Sequence, residues 1–238
     1  ADLYPVVPPP DDGGPGRHVV AAPFLRTPPV SARTPEPDAF HGIALGKGRT
    51  AMQARASALG EAVERISAIW RGDVPARRAT RAELGSEALS PETLWQFSAT
   101  QTRDRDAING ATPDPRRHVP PPLAPDAPIW WTPTRSLTRE GTFWVPRDHD
   151  WADAPPPRHG RYNPNGCAAG ATPEEAAIQG FLELVERDAV AIWWYNRLVR
   201  PALDLASLLP EDLRHVVAGI EAQGWQVRAL DLTTDLGL

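Results

Sequence analysis

The feature that most constrains this chain is that one stretch of it occurs twice. Residues 48–65 read GRTAMQARASALGEAVER and residues 170–187 read GATPEEAAIQGFLELVER. Aligned from their first residues, the copies agree at Gly48/Gly170, Thr50/Thr172, Ala54/Ala176, Glu61/Glu183, Val63/Val185, Glu64/Glu186 and Arg65/Arg187. Both copies end in Glu-x-x-Glu-Arg within apolar sequence. The repeat predicts an internally duplicated fold that contains two related helices.

Both copies carry the signals that start a helix. Thr50-x-x-Gln53 and Thr172-x-x-Glu175 have the form of a capping box, in which the threonine oxygen accepts a backbone N–H and the third residue reaches back. Pro173 suits the first helical position of the second copy. The sequence therefore predicts two capped helices.

The spacing of apolar residues indicates the extent and the buried face of each helix. The first should end at Gly72, and the second should run to about Asn196. The predicted buried stripe of the first helix consists of Met52, Leu59, Val63, Ile66 and Trp70. The second helix is apolar on most sides, which predicts that it is largely buried.

The remaining elements follow from alternation and from breaks at Pro and Gly. We predict strands over 18–25, 40–45, 129–137, 142–145 and 225–232, with 129–137 and 142–145 joined as a hairpin. Shorter helices are expected over 90–97 and 211–223, and the rest of 77–120 is assigned to loop. The expected fold class is α/β of mixed α+β type, built from duplicated helix-on-sheet units.

The 28 prolines cluster in 5–37, 113–133 and 155–164, and such stretches cannot form helix interiors. They divide the chain into a proline-rich lead-in with a short strand over 1–38 and a domain over 39–238. Within this domain, a variable insert is expected at about 77–125. Because the last predicted strand lies close to the end of the sequence, we expect the domain to be incomplete at the C-terminus.

Composition excludes several classes of function. A net charge of -5 and scattered Lys and Arg argue against a nucleic-acid binder. No run of about 18 apolar residues is present, so a membrane span is not expected. The lone Cys167 excludes an internal disulfide and a cysteine zinc cluster, and it favours a reducing compartment, so we expect a cytoplasmic protein.

The duplicated charged triplets offer two interpretations. Helical spacing places Glu61, Glu64 and Arg65 on one face, as it does their counterparts, and a solvated face with Glu–Arg pairs would explain this. Alternatively, carboxylates set in apolar sequence need partners, because an unpaired buried charge costs several kcal/mol. Two helices that pack together would bring four carboxylates to one place, which favours Mg²⁺ shared with a polyphosphate.

Two segments are similar to the signatures of the YcaO family. The first is Ser57-Ala-Leu-Gly-Glu61-Ala-Val-Glu64-Arg65, which resembles Ser-x3-Glu-x2-Glu-Arg. The second runs from Asn165-Gly-Cys-Ala-Ala-Gly170 through Glu175 to Glu183-Leu-Val-Glu186-Arg187. Residues 188–201, DAVAIWWYNRLVRP, resemble the subset that modifies ribosomally made peptides. The likeness is strongest over about 40–72 and 163–201, and weak before 17 and across 77–120.

The resemblance implies a YcaO-like ATP-binding domain with ATP and Mg²⁺ as cofactors. On that basis Glu61, Glu64, Glu183 and Glu186 are expected to be magnesium ligands, and Glu175 and Arg187 are expected to contact the nucleotide. Three further candidates for the nucleotide site are Ser57, Arg65 and Lys47. Each has a plainer interpretation: Ser57 as a bond within its helix, Arg65 as a Glu–Arg pair, and Lys47 as an exposed loop lysine without a full P-loop pattern.

The implied activity is azoline formation in a precursor peptide. A Ser, Thr or Cys side chain attacks the preceding carbonyl, the oxyanion is phosphorylated, and phosphate leaves behind an oxazoline or thiazoline. Two alternatives stay open: ATP-dependent thioamidation, and a non-catalytic substrate-binding or scaffold subunit. A leader-peptide-binding partner of the E1-like (ThiF-like) class is expected, and a homodimer is left open. Ala168 and Ala171 replace small polar residues of the family pattern.

Overall fold

The computed structural model describes residues 4–5, 18–25, 41–114, 117–124, 126–156 and 159–238, and it confirms a mixed architecture of helices and small sheets. The strands are β1 (Tyr4–Pro5), β2 (His18–Leu25), β3 (His41–Gly48), β4 (Arg77–Ala79), β5 (Ile129–Arg135) and β6 (Thr142–Pro146). The helices are α1 (Ala51–Ser67), α2 (Arg81–Leu84), α3 (Pro91–Trp95), α4 (Ala99–Arg103), α5 (Arg105–Ala111), α6 (Arg147–Asp150), α7 (Pro173–Asn196), α8 (Leu205–Leu208) and α9 (Glu211–Glu221).

The chain divides into two compact units. The first comprises Ala1–Phe24, Gly42–Glu64 and Asn165–Leu238, and the second comprises Leu25–His41 and Arg65–Pro164, in each case as far as these ranges are described. Both copies of the repeated segment therefore belong to the first unit, although the last turn of α1 continues into the second. The charged motif of α7 lies wholly within the first unit.

The first unit contains the three-stranded sheet β1-β2-β3 together with α1 and α7–α9. Its buried core cluster consists of Val20, Ala22, Ala44, Ala54, Ala58 and Ala62. Most of these side chains are small, so β3 and α1 approach each other closely. This core holds α1 against the strand that precedes it.

The second unit is built on the antiparallel sheet β4-β5-β6. Trp131 on β5 is fully buried, and its indole N–H donates to the backbone oxygen of Ala79 at 2.9 Å. The predicted hairpin of 129–137 with 142–145 is confirmed, because Trp131 pairs with Pro146 and Arg135 with Thr142. The surrounding core cluster consists of Ala79, Leu84, Ala88, Ile129 and Trp131.

The assignment of most of 77–120 to loop is wrong. This region contains β4, α2, α4 and α5 in addition to the expected helix α3. Two of the short helices begin with capping boxes: Thr80 with Glu83 and Ser98 with Gln101. These elements were missed because each is too short, and its sequence too polar, to show apolar residues at a clear helical or strand spacing.

The strand predicted over 225–232 is also absent. These described residues form only a single antiparallel bridge, between Leu230 and Ala202. The side chain of Arg200 instead binds this segment, since its Nε donates to the backbone oxygen of Asp231 at 2.8 Å. An alternating pattern predicts a strand only where a neighbouring strand is available to accept its hydrogen bonds.

The buried faces of both repeated helices differ from those predicted. In α1 the buried residues are Ala54, Ala58 and Ala62, whereas Met52 and Val63 are 76% and 55% exposed. In α7 the buried residues are Gly180, Val185 and Ala189. The larger apolar side chains of α7 that remain exposed include Phe181, Leu182, Leu184, Val190, Ile192 and Trp194. Small residues form the contacts, so the premise that the carboxylates lie in a largely buried helix is wrong.

None of the helices in the described ranges combines the length and the apolar character that a membrane crossing requires.

Candidate functional site

The first repeated helix begins at a side-chain cap. Thr50 Oγ1 accepts the backbone N–H of Gln53 at 3.2 Å, and Gln53 Oε1 accepts the backbone N–H groups of Arg49 at 2.9 Å and Thr50 at 3.3 Å. These bonds satisfy donors that have no partner within a helix. The capping box predicted for α1 is therefore confirmed.

The second repeated helix begins with two of these three bonds at the equivalent residues. Thr172 Oγ1 accepts the backbone N–H of Glu175 at 3.2 Å, and Glu175 Oε2 accepts the backbone N–H of Ala171 at 2.8 Å. Ala171 corresponds to Arg49 in the alignment of the two copies. The duplication seen in the sequence is thus repeated in atomic contacts at both helix starts.

A glycine lies against each helix start at an equivalent position. A Cβ on Gly48 would fall 2.6 Å from the backbone nitrogen of Ala54, and a Cβ on Gly170 would fall 2.5 Å from that of Ala176. Both distances are far below normal contact. The identity Gly48/Gly170 therefore reflects a close approach of the preceding backbone to the first turn of each helix.

The segments that lead into the two helices differ. Strand β3 runs directly to the start of α1, whereas the described residues 159–172 form no strand before α7. Gly166 has a φ of +87° in this segment, a conformation that interrupts a strand and favours glycine. The superposition of both helices with flanking strands about a pseudo-twofold axis stays a prediction.

The first glutamate of each charged motif anchors its helix to the segment that precedes it. Glu61 Oε2 accepts the backbone N–H of Leu45 at 2.8 Å, and Glu183 Oε2 accepts the backbone N–H of Gly166 at 3.0 Å. Each bond fixes the position of a carboxylate relative to the loop or strand beside it. A hydrogen bond between a backbone N–H and an ionised carboxylate is stronger than a neutral one.

Arg187 pairs with the first glutamate of its own motif. Its Nη2 lies 3.1 Å from Glu183 Oε1, with the arginine side chain 58% and the glutamate side chain 28% exposed. An exposed pair at this helical spacing contributes only about 0.3–0.5 kcal/mol. The plainer interpretation of the triplet as a Glu–Arg pair is therefore present in α7, and it holds Glu183 between Arg187 and Gly166.

The other predicted site residues occupy the surface of the first unit or its border. Glu64 is half-buried, as is Glu61. Five more candidates are exposed: Lys47 on β3, Ser57 and Arg65 on α1, and Glu175 and Glu186 on α7. Exposure leaves these side chains accessible to a ligand.

No three His, Cys, Asp or Glu side chains of the described residues lie close enough together to hold a metal ion. The convergence of Glu61, Glu64, Glu183 and Glu186 on one magnesium site therefore stays a prediction. The donor set itself fits the ion, because carboxylate oxygens are the hard ligands that Mg²⁺ prefers. All four glutamates also belong to the same compact unit.

Sequence reasoning missed a charged turn in the second unit, helix α6. Arg147 is only 5% exposed, and its guanidinium lies 5.4 Å and 5.6 Å from the ring centres of Trp70 and Trp130. Asp150 accepts a hydrogen bond from Thr132 Oγ1 at 2.9 Å, and burial raises the pKa of its carboxyl. Four consecutive charged or titratable residues directly after a strand, RDHD, were the available signal.

Comparison with known proteins relates the chain to one family. The sequence profile described as YcaO cyclodehydratase, ATP- and Mg²⁺-binding, matches residues 45–238. This match includes both charged motifs and both capped helices. It begins within β3 and covers well over half of the chain.

Two solved structures and one curated relative show the extent of the similarity. A heterocyclase in complex with substrate and cofactor has a TM-score of 0.81 and 37% identity, over 99% of this chain and 31% of that one. The heterocyclase TruD has a TM-score of 0.68 and 41% identity, over 79% of this chain and 28% of its own. An uncharacterized protein of Methanothermobacter thermautotrophicus is 28% identical over 205 residues, which are 84% of this chain and 47% of that protein. The chain thus spans about half of this relative.

Proposed function

Since this chain belongs to the YcaO family, we propose that the whole protein uses ATP and Mg²⁺ to form azoline rings in a ribosomally made precursor peptide. The observation that carries the proposal is the duplicated set of anchored glutamates on capped helices. The likeness to two heterocyclases at 37% and 41% identity supports the reaction class.

The proposed reaction removes one water for each ring. The hydroxyl or thiol of a Ser, Thr or Cys side chain adds to the carbonyl carbon of the preceding peptide bond and gives up its proton. The carbonyl oxygen then takes a phosphoryl group and leaves as phosphate, while the amide nitrogen loses its proton and forms the C=N bond. Bound ATP with Mg²⁺ would supply the phosphoryl group and neutralise its developing charge.

The chain's own residues would bind and position the nucleotide. We assign Glu61, Glu64, Glu183 and Glu186 as magnesium ligands, because they are the carboxylates that the repeat places at equivalent helical positions. The bonds from the backbone N–H groups of Leu45 and Gly166 would hold the first glutamate of each pair in a fixed orientation. Preorganised ligands of this kind reduce the reorganisation that binding requires.

The nucleotide contacts are assigned to Glu175 and Arg187, with Ser57, Arg65 and Lys47 as further candidates. Glu175 lies at the first turn of α7, where its carboxylate binds the backbone N–H of Ala171. Ala171 lacks the polar side chain of the family pattern, but its backbone N–H is present at the helix start. A guanidinium at Arg187 suits phosphate oxygens, which it can contact with two N–H groups.

The test replaces single carboxylates by amides of nearly the same volume. Glu183→Gln and Glu186→Gln, each made in the whole protein, should abolish ATP-dependent ring formation, because each removes a ligand charge from magnesium. Ring formation is followed by mass spectrometry as the loss of one water per ring. Glu174→Gln is the matched control, because Glu174 is an exposed carboxylate in the first turn of the same helix.

The control should retain wild-type turnover. If Glu183→Gln and Glu186→Gln both turn over peptide at the wild-type rate, these glutamates are structural and the assignment is wrong. If the peptide instead gains a thioamide only when sulfide is supplied, the reaction is thioamidation. That reaction activates the amide oxygen in the same way.

We also propose that a leader-peptide-binding partner of the E1-like (ThiF-like) class delivers the substrate. ATP consumption by the protein alone should be weak and should rise when the partner and the precursor peptide are both added. Phosphate release measures this directly. Equal rates with and without the partner would contradict the proposal. Light scattering would decide whether the protein forms a homodimer, which the sequence leaves open.

A further inference from the structure

The second unit contains a cavity that the proposed function does not use. It has a volume of about 470 Å³, which is within the range of small-ligand and peptide side-chain pockets. Its lining includes Trp95 and the segments 118–124 and 159–161. No carboxylate is present among these described lining residues.

One wall of the cavity is a rigid run of three prolines, residues 120–122. The run is fixed at both ends. Asn109 exchanges two hydrogen bonds with the backbone of Val119, at 2.9 Å and 2.8 Å, and Glu92 Oε1 accepts the backbone N–H of Leu123 at 3.0 Å. Proline fixes φ and carries no N–H donor. The wall therefore offers apolar rings and carbonyl oxygens in a conformation that binding does not have to order.

A buried carboxylate fixes another segment of the lining, residues 159–160. Asp148, which is 6% exposed, accepts the backbone N–H groups of His159 and Gly160. A Cβ on Gly160 would lie 3.3 Å from the indole nitrogen of Trp95. The absence of a side chain at Gly160 thus leaves room for the aromatic ring at the cavity.

The lining carries one permanent positive charge, on Arg161. Its Nη2 donates to the backbone oxygen of His118 at 3.3 Å, which holds the guanidinium close to the segment that leads into the proline run. A guanidinium binds carboxylates through charge-assisted and bidentate hydrogen bonds. Together with Trp95 and the prolines, it favours a ligand that combines an acidic group with apolar groups.

A second cavity lies next to the first, because the two share lining residues. Its volume is about 610 Å³, and Leu123 and Ala124 line both cavities. The second cavity is further lined by Arg81, Ala82, Gly85, Ser86, Pro91 and Glu92. A ligand that filled both would have to be elongated, because Leu123 and Ala124 are the only described residues that line both cavities.

We propose that the two cavities together form one groove, and that this groove binds an extended, acidic segment of the peptide substrate. A Glu or Asp carboxylate of the segment lies at Arg161, and its apolar side chains pack on Trp95 and the proline wall. This inference rests on the proposed function only in that the bound segment belongs to the peptide that is modified. It adds a docking surface on a unit that contains none of the four proposed magnesium ligands.

The test measures binding directly, without nucleotide. Two short fluorescein-labelled peptides serve as probes, one of alternating Leu and Glu and one of alternating Leu and Gln. Fluorescence anisotropy should show the acidic probe binding at least about tenfold more tightly, since a hydrogen bond to a charged group is stronger than one to a neutral group. Arg161→Gln should reduce the affinity for the acidic probe by a similar factor and leave the neutral probe unchanged.

Two further variants make the result decisive. Ala124→Glu places a negative charge where the cavities meet and should also weaken the acidic probe, and it does not remove the contact between Arg161 and His118. Arg78→Gln is the control, because Arg78 is an exposed arginine on β4 that lines neither cavity. It should bind the acidic probe as the wild type does.

Three outcomes would overturn the proposal: equal binding of both probes, wild-type affinity in Arg161→Gln and Ala124→Glu, or complete displacement of the acidic probe by citrate at the same carboxylate concentration. The last outcome would show a site for small anions. Ring formation is measured separately, so the loss of groove binding with intact ring formation contradicts this inference alone. The loss of ring formation with intact groove binding contradicts the proposed function alone.

Discussion

Gly46 on β3 and Gly60 on α1 differ in the space around them: a Cβ would be crowded at Gly46 and free at Gly60. Replacement by alanine should therefore lower the stability of the chain at Gly46 and raise it at Gly60. A Cβ on Gly46 would fall 2.0 Å from the backbone oxygen of Ala54, whereas nothing lies within 4 Å of a Cβ on Gly60. Gly46→Ala should destabilise the chain by about 1–3 kcal/mol, the usual cost of overpacking. Gly60→Ala should stabilise it by about 0.4–1 kcal/mol, because glycine disfavours a helix interior. Denaturant midpoints measure both, and equal effects would show that β3 does not pack closely on α1.

The buried carboxyl of Asp150 predicts a specific dependence of stability on pH. Burial raises its pKa, and the hydrogen bond from Thr132 offsets only part of this. The folded protein therefore holds this proton at pH values where the unfolded chain, with an Asp pKa of about 3.9, has lost it. Stability falls as pH rises from the unfolded to the raised folded value. The side chain in Asp150→Asn does not titrate. The free energy of unfolding of this variant, relative to that of the wild type, should therefore rise as the pH increases from the unfolded to the folded pKa of Asp150.

The control for this pH series is Asp231→Asn. The pKa of Asp231 is lowered by the hydrogen bond from Thr233, so its contribution to stability is present above the unfolded pKa and is lost as pH falls. Relative to the wild type, Asp231→Asn should therefore lose stability as pH rises, which is opposite to Asp150→Asn. Chemical denaturation over a pH series measures both differences, and parallel curves for the two variants would contradict the assigned causes.

Among the elements, the two capped helices make the most direct prediction from the repeat. Thr50→Ala and Thr172→Ala each remove the acceptor for one backbone N–H at a helix start. Each should cost about 1 kcal/mol in the free energy of unfolding, the usual value of such a cap. The control is Thr100→Ala, at an exposed position inside α4. Its free energy of unfolding should stay within about 0.5 kcal/mol of the wild-type value. A large loss in one cap variant and none in the other would contradict the structural equivalence of the two copies.

Elements with strong local signals were predictable from the sequence. The helix α7 starts at Pro173 and ends at Asn196 as its cap and its apolar run indicate. The hairpin of β5 and β6 follows from alternation and from the turn residue Gly141, which has a φ of +108°. The short helices of 77–120 were missed because each is too short to develop a clear apolar period, although two of them begin with capping boxes. The absence of a strand at 225–232 was not predictable, because it depends on neighbours that a local pattern does not contain.

The buried face of α1 shows why side-chain size misled the prediction. An apolar stripe was expected to face the core, but Ala54, Ala58 and Ala62 do so instead. Gly46 and Gly48 on the preceding segment allow the two backbones to approach, and only small residues fit at that distance. Residues four apart in the sequence lie on one face of a helix. This spacing does not show whether that face packs closely against its neighbour through small residues or at a larger distance through large ones.

For the whole molecule, the sequence predicted which residues are equivalent better than it predicted where they meet. The identities at Thr50/Thr172 and Gly48/Gly170 correspond to the same bonds and the same close contacts in the structure. The predicted convergence of the four carboxylates does not follow from these local contacts, because it depends on how the two helices pack against each other. A repeat in sequence fixes each copy internally and leaves their relative arrangement to long-range contacts.

The two units should also differ in stability, because their cores are built from side chains of different size. The first core is mostly alanine, with Ala44, Ala54 and Ala58 fully buried, whereas the second contains the buried Trp131 and Ile129. Stabilisation follows the apolar area removed from water, at about 25 cal/mol per Å². We therefore expect the first unit of the 238-residue chain to unfold at a lower denaturant concentration than the second.

Two spectroscopic signals separate the units. The helices α1 and α7, of 17 and 24 residues, dominate the far-ultraviolet circular dichroism and belong mainly to the first unit. Six of the nine tryptophans lie in the second unit, namely Trp70, Trp95, Trp130, Trp131, Trp144 and Trp151. In the first unit Trp194 and Trp225 are 65% and 70% exposed, so their fluorescence should change little on unfolding. The circular dichroism midpoint should therefore precede the fluorescence midpoint. Coincident transitions would instead show that the chain unfolds as one cooperative body.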